Sequence, residues 1–135
     1  MQQLIETSVK INASPGKVWR VFSDPSLTAQ MGGEYVTDWT VGSAFGWKGK
    51  DGKIYTNGTI LEIETEKLLK HNLFSSENQL SVISVITYTF EYENGHTTLF
   101  AREELFKNLS VKEYRDAVEG WNSALLAVKE IGEKG

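Results

Sequence analysis

The sequence predicts an α+β domain, a curved antiparallel sheet of about seven strands wrapped around a long C-terminal helix, with two short helices after strand one. Three observations carry this reading: period-2 alternation at the start, a central run of strand-like segments punctuated by turn residues, and a capped amphipathic pattern from Ser110 onward. The chain of 135 residues suits a single domain, residues 1–135, and a chain of this size buries roughly 70% of its unfolded surface. Its 4 Trp, 5 Tyr and 6 Phe supply bulky core material.

Ile5, Thr7, Val9 and Ile11 share one face and Glu6, Ser8, Lys10 and Asn12 the other, as in a half-buried strand. Ser14-Pro15 reads as an N-cap with Pro at the first helical position, and Val18, Trp19 and Phe22 follow at helical spacing. Asp24-Pro25 repeats the device and starts a second short helix that ends at Gly32-Gly33. Strand-like runs follow at Tyr35–Trp39, Ala44–Lys48, Ile54–Thr65 and Leu68–Phe74, separated by Gly42, Asp51-Gly52 and Glu66-Lys67. Ser75–Gln79 is a polar loop, and Leu80–Tyr92 is rich in residues that suit a pleated surface. Asn94-Gly95 favours the positive φ of a tight hairpin, so Thr97–Phe106 pairs back antiparallel. Ser110 and Glu113 form a capping box, with Leu109 and Tyr114 as a hydrophobic staple. Tyr114, Val118, Trp121, Leu125 and Val128 then step by four and three, an apolar stripe whose natural partner is the concave face of the sheet.

Composition excludes several function classes. With no Cys there is no disulfide framework, thiol nucleophile or thiolate metal site. The net charge is −4, and the 14 Lys and Arg are scattered among 18 acidic residues, so nucleic acid is not an expected partner. Residues 1–10 lack the basic and apolar blocks of a secretory signal, no apolar stretch approaches the roughly 20 residues of a membrane span, and the expected location is cytoplasmic. The 2 His are far apart in sequence and no metal or other cofactor is expected. Gly42, Gly46, Gly49 and Gly52 lie among strands and lack the context of a phosphate cradle.

The order of these elements resembles the START-like (SRPBCC) superfamily with its helix-grip fold. Ile11-Asn12-Ala13-Ser14-Pro15 followed by Val18-Trp19, Phe22 and Asp24-Pro25 resembles the opening of the branch named after the activator of heat-shock-protein-90 ATPase. Val41-Gly42, the stretch from Gly58 to Leu69, the hairpin from Asn94 to Leu99, and Gly120-Trp121 extend the resemblance over roughly Ser8 to Glu130. The chain departs from that branch at Gln30-Met31-Gly32-Gly33, where members often carry paired Trp.

A sheet curled around a helix leaves room for a cavity, and such concave apolar spaces are the usual sites for small ligands. The candidate lining residues are Trp39, Phe45, Trp47, Tyr55, His71, Tyr88, Phe90, Glu103, Trp121 and Leu125. The competing reading is that the aromatics simply fill the core. Gly120, inside the last helix, either opens a mouth over the cavity or permits close approach of helix and sheet. By alternation Glu103 shares a face with Leu99, Ala101 and Leu105, and Arg102 and Glu104 share the other; one set points inward, or all form ion pairs on an edge strand.

The resemblance implies binding of a small hydrophobic or aromatic ligand between sheet and helix. A second expectation is a chaperone ATPase co-activator or stress-response module with a chaperone as partner, although the separate N-terminal domain that engages the chaperone in that family is not seen. A third is a cofactor-free enzyme of the cyclase or dehydratase type, using Glu103 or Arg102 with His71 or Tyr88; enzymatic activity is the less favoured expectation. The expected state is a monomer or a weak homodimer pairing through sheet edges or the short-helix corner.

Overall fold

A computed structural model describes residues 3–75 and 81–134. The chain runs β1 (Gln3–Ile11), α1 (Pro15–Ser23), α2 (Pro25–Thr28) with a 3₁₀ turn at Ala29–Met31, β2 (Gly33–Thr37), β3 (Ala44–Gly49), β4 (Ile54–Glu64), β5 (Leu68–Phe74), β6 (Val82–Glu93), β7 (His96–Leu105) and α3 (Val111–Lys134). The seven strands form one antiparallel sheet in the order β1-β7-β6-β5-β4-β3-β2. This is the helix-grip arrangement. The expected loop at Ser75–Gln79 falls, from Ser76 onward, outside the described residues.

Local chemistry sets the element boundaries. The Ser14 Oγ accepts the Lys17 amide at 3.3 Å, and Asp24 closes α1 while its carboxylate caps α2 through the Ser26 amide at 3.0 Å. Gly32, at φ +101°, stops the 3₁₀ turn. Asn94 and Gly95 take φ of 51° and 86°, the pair of positive values a two-residue hairpin requires. At α3 the capping box is reciprocal: Glu113 N–H donates to Ser110 Oγ at 3.1 Å and Ser110 N–H to Glu113 Oε1 at 2.9 Å. β2 begins at Gly33 and ends at Thr37, earlier than the expected Tyr35–Trp39, because Trp39 sits in a turn at φ 58°.

The core lies between the concave face of the sheet, α1 and the second half of α3. Ile11, Val18, Ile60, Leu69 and Leu99 are sealed within it. The last helix is placed differently from the simple expectation. Only Leu125, Val128, Ile131 and Gly132 of α3 are buried, whereas Tyr114, Val118 and Trp121 are half-buried. The helix runs alongside β1, an end strand of the sheet, and its polar side chains reach the backbone of that strand and of Asn12 just beyond it. Tyr114 Oη donates to the Leu4 carbonyl at 2.6 Å, Lys129 Nζ to the Lys10 carbonyl at 2.9 Å, and Glu133 accepts the Asn12 amide at 2.8 Å. An end strand exposes unsatisfied backbone groups, and this helix covers them.

Gly120 also differs from expectation. It is exposed, and a Cβ built on it meets nothing within 4 Å, so close helix-on-sheet approach is not what the glycine serves.

Candidate functional site

The concave face carries polar groups among apolar ones, and strand register fixes where. One row across the sheet reads Ile5, Glu103, Ile86, His71, Ile60 on β1, β7, β6, β5 and β4. Along β6, Ser84, Ile86, Tyr88 and Phe90 face inward because side chains alternate. Ile86 is therefore flanked by His71 and Glu103 across the sheet and by Ser84 and Tyr88 along its own strand. At the usual strand spacing, His71 and Glu103 have backbones roughly 10 Å apart with Ile86 between them.

A cavity of about 200 Å³ opens on this face, lined by Tyr35, Phe45, Trp47, Thr56, His71, Leu73, Ile86 and Tyr88. Its walls are an aromatic cluster. Tyr35 stacks on Phe45 at 4.8 Å and meets the edge of Trp47 at 4.9 Å, and Phe45 lies 4.3 Å from the His71 ring. Helix α1 plugs one end: Phe22 packs edge-on against Tyr88 at 5.1 Å and Phe90 at 5.7 Å, and Trp19 lies 5.3 Å from Phe90. Trp121 of α3 meets the edge of Tyr88 at 5.8 Å.

The electrostatics of the chamber follow from burial. His71 Nδ1 lies 3.0 Å from the Asn72 carbonyl, which takes its proton and leaves Nε2 as the acceptor nitrogen. Burial disfavours the charged ring and lowers the His71 pKa to about 4, the backbone hydrogen bond opposing only in part, so His71 is neutral at pH 7. Burial likewise raises Tyr35 to about 12, while a hydrogen bond from Tyr88 pulls it down in part. Tyr88 is pushed well above 10 by burial first, then by Tyr35 and by the charge of Glu103. Both phenols are neutral donors and acceptors. The Ser84 hydroxyl, on a side chain only 1% exposed, is the one buried side-chain polar atom among the described residues without a partner.

Four of the expected lining residues, Phe45, Trp47, His71 and Tyr88, come together around this cavity. Glu103 points inward and Trp121 covers it, Trp121 Nε1 donating to Glu103 Oε1 at 2.9 Å, although neither lines the cavity wall. The other four require correction. Tyr55 is 59% exposed and hydrogen-bonds Asp51; Gly58 and Ile60 are buried, so alternation turns Thr56 inward and Tyr55 out. Phe90 and Leu125 are sealed in the core, at 5% and 2% exposure. Trp39, displaced by its turn, packs against Trp19 and Phe45 at the rim of the aromatic cluster. Arg102 points outward between Glu6 and Glu104, which removes it from the polar pairs considered for catalysis; β7 is an interior strand, so this is not an edge-strand ion pair.

Sequence reasoning missed Tyr35, Thr56, Leu73, Ile86 and Ser84. Tyr35 was legible in principle, as a bulky aromatic inside the strand-like run Tyr35–Trp39. Among the described residues no group of three or more His, Cys, Asp or Glu is placed to hold a metal ion. No helix among them is long and apolar enough to cross a membrane.

Comparison with known proteins adds to this geometry. A family model described as Activator of Hsp90 ATPase homolog 1-like protein matches residues 12–133. The solution structure of ChR145 from Cytophaga hutchinsonii is 26% identical, covers 98% of this chain and 94% of its own, and superposes with a TM-score of 0.77. The solution structure of the Aha1 dimer from Colwellia psychrerythraea shares 14% identity over 97% and 96% of the two chains, with a TM-score of 0.80. The crystal structure of CalU16 from Micromonospora echinospora shares 19% identity over 97% of this chain and 76% of that one, with a TM-score of 0.77. At 14% and 19%, the last two likenesses show the fold alone. No curated protein matches the sequence.

Proposed function

Because the chain belongs to the activator of Hsp90 ATPase homolog 1-like family, within the START-like superfamily, we propose that it binds a small neutral aromatic molecule in the cavity beneath Tyr35, His71 and Tyr88. The observation that carries this is the His71 ring. Its Nδ1 proton is committed to the Asn72 carbonyl, and it is held neutral among apolar walls, so Nε2 offers a lone pair to the cavity it lines. Such a group suits a ligand hydroxyl or N–H donor. It does not suit a carboxylate, which would need the imidazolium that burial suppresses. Phe45, Trp47 and Ile86 supply the apolar faces, and the Tyr35 and Tyr88 hydroxyls a second polar contact.

The volume narrows the ligand class. Pockets for drug-sized ligands run to roughly 300–1,000 Å³, above the about 200 Å³ found here. One or two fused rings fit this space; a sterol does not. The test is a panel of 2-naphthol, 2-methylnaphthalene, decanoate and cholesterol, read by native mass spectrometry and thermal shift. The expected result is binding of 2-naphthol, weakened roughly tenfold in His71→Leu, with 2-methylnaphthalene unaffected by the substitution. Failure of every aromatic to bind would sink the reading.

A further inference from the structure

We propose that the ligand of the inner cavity carries a second hydroxyl at its far end, received by Ser84, and so belongs to the class of flat aromatic diols with oxygens at opposite ends of the rings. This rests on the cavity reading above and adds a specificity-determining residue to it. The other inward polar groups have partners within the protein. The Tyr35 and Tyr88 hydroxyls bond one another, Glu103 takes the Trp121 N–H, and His71 Nδ1 holds the Asn72 carbonyl. The Ser84 hydroxyl, 1% exposed, has none.

Register places this hydroxyl directly behind the cavity wall. Leu73 is opposite Ser84 on β5, and Ile86 is two residues along β6 on the same face; both line the cavity, and Ser84 stands behind them. His71, opposite Ile86, is the diagonal neighbour of Ser84. Diagonal positions on adjacent strands lie roughly 7–8 Å apart, close to the spacing of hydroxyls at opposite ends of two fused rings. A ligand with one hydroxyl on His71 Nε2 therefore directs the other toward Ser84, whose own hydroxyl both donates and accepts.

Leu73 is the side chain that gives way. It is half-buried, and it also borders a separate hollow of about 430 Å³ shared with Ile54, Phe74 and Ile83. A turn to another staggered rotamer thus meets open space instead of packed atoms. Ile86, at 6% exposure, stays in place as the floor. A buried hydroxyl without a partner has lost its bonds to water and regained nothing, so removing it does not harm the empty fold, whereas a ligand oxygen restores the missing bond. That asymmetry separates a hydroxyl that serves the ligand from one that serves the structure.

The test compares 2,6-dihydroxynaphthalene with 2,3-dihydroxynaphthalene, which has the same rings and hydroxyl count but both oxygens at one end, and uses 2-naphthol as the reference. Titration calorimetry on the unmodified protein should show the 2,6 isomer binding roughly three- to tenfold tighter than the 2,3 isomer. In Ser84→Ala the isomers should bind within about twofold of each other, with 2-naphthol unchanged and the thermal midpoint of the unligated variant equal to or above that of the parent. A preference for the 2,6 isomer that survives Ser84→Ala, or no preference in a protein that does bind 2-naphthol, overturns the Ser84 contact and leaves the cavity in place. A lowered midpoint in the unligated variant overturns it as well, because the hydroxyl would then serve the fold. If the unmodified protein takes up no 2-naphthol, the cavity reading falls and the Ser84 contact with it.

Discussion

The Trp121 indole N–H donates to Glu103 Oε1 at 2.9 Å, joining the half-buried stretch of α3 to an interior strand of the sheet. Glu103 lies between Ile5 and Ile86 on that face, so its carboxylate depends on the indole for a partner. Trp121→Phe keeps most of the apolar area and removes the donor; it should cost about 1–3 kcal/mol, measured by urea unfolding. Glu103→Gln retains an accepting oxygen and should lose less. Equal losses in the two variants would show that the bond is not what matters.

His71 makes stability depend on pH in a direction that can be stated in advance. Its folded pKa, about 4, lies below the ordinary histidine value of 6.5, so the unfolded chain takes up a proton over an interval where the folded one does not. Stability is therefore full above pH 6.5 and declines as pH falls toward 4. Between pH 7 and 5 this single group should cost about 2 kcal/mol relative to His71→Leu measured at the same pH values. Parallel profiles for the two proteins would refute it.

Two glycines should respond oppositely to alanine. Gly58→Ala drives a Cβ into the Asn72 backbone, which cannot yield as a side chain could, and should destabilise by about 3 kcal/mol or more. Gly120→Ala meets open space inside a helix and should stabilise by about 1 kcal/mol. Thermal and urea midpoints of both variants test this.

Tyr114→Phe removes only the hydroxyl that donates to the Leu4 carbonyl, at a cost of about 1 kcal/mol. Hydrogen exchange should then accelerate in β1 more than in β5, because β1 is the end strand the helix protects.

The comparison between sequence and structure divides along physical lines. Period-2 alternation placed Ile5 and Ile11 inside, Asn94-Gly95 announced its hairpin, and the Ser110/Glu113 box fixed the start of α3, because each depends on nearest neighbours. Tyr55 and Trp39 were misplaced for reasons further away in the chain. The parity of β4 is set by burial of Gly58 and Ile60 against other strands, and β2 stops at a left-handed Trp39 that no propensity announces. Ser84 escaped notice altogether; its burial depends on pairing with Leu73 and Leu105, and strand pairing is a property of the assembled sheet. The helix stripe was visible, but half of it covers less than expected, since hydrophobic spacing specifies a buried face and not the partner it meets.

The side-chain bonds between β1 and α3 span 110 to 119 residues of sequence. β1 therefore waits for α3, which is synthesised later, before its outer edge is covered. Until then it offers a neighbouring chain a surface for strand addition. A truncation within α3 should increase self-association, read by size-exclusion chromatography, even though most of the sheet would remain intact. The helix acts on the chain's own history as well as on its cavity, holding an earlier-made strand to a later-made helix.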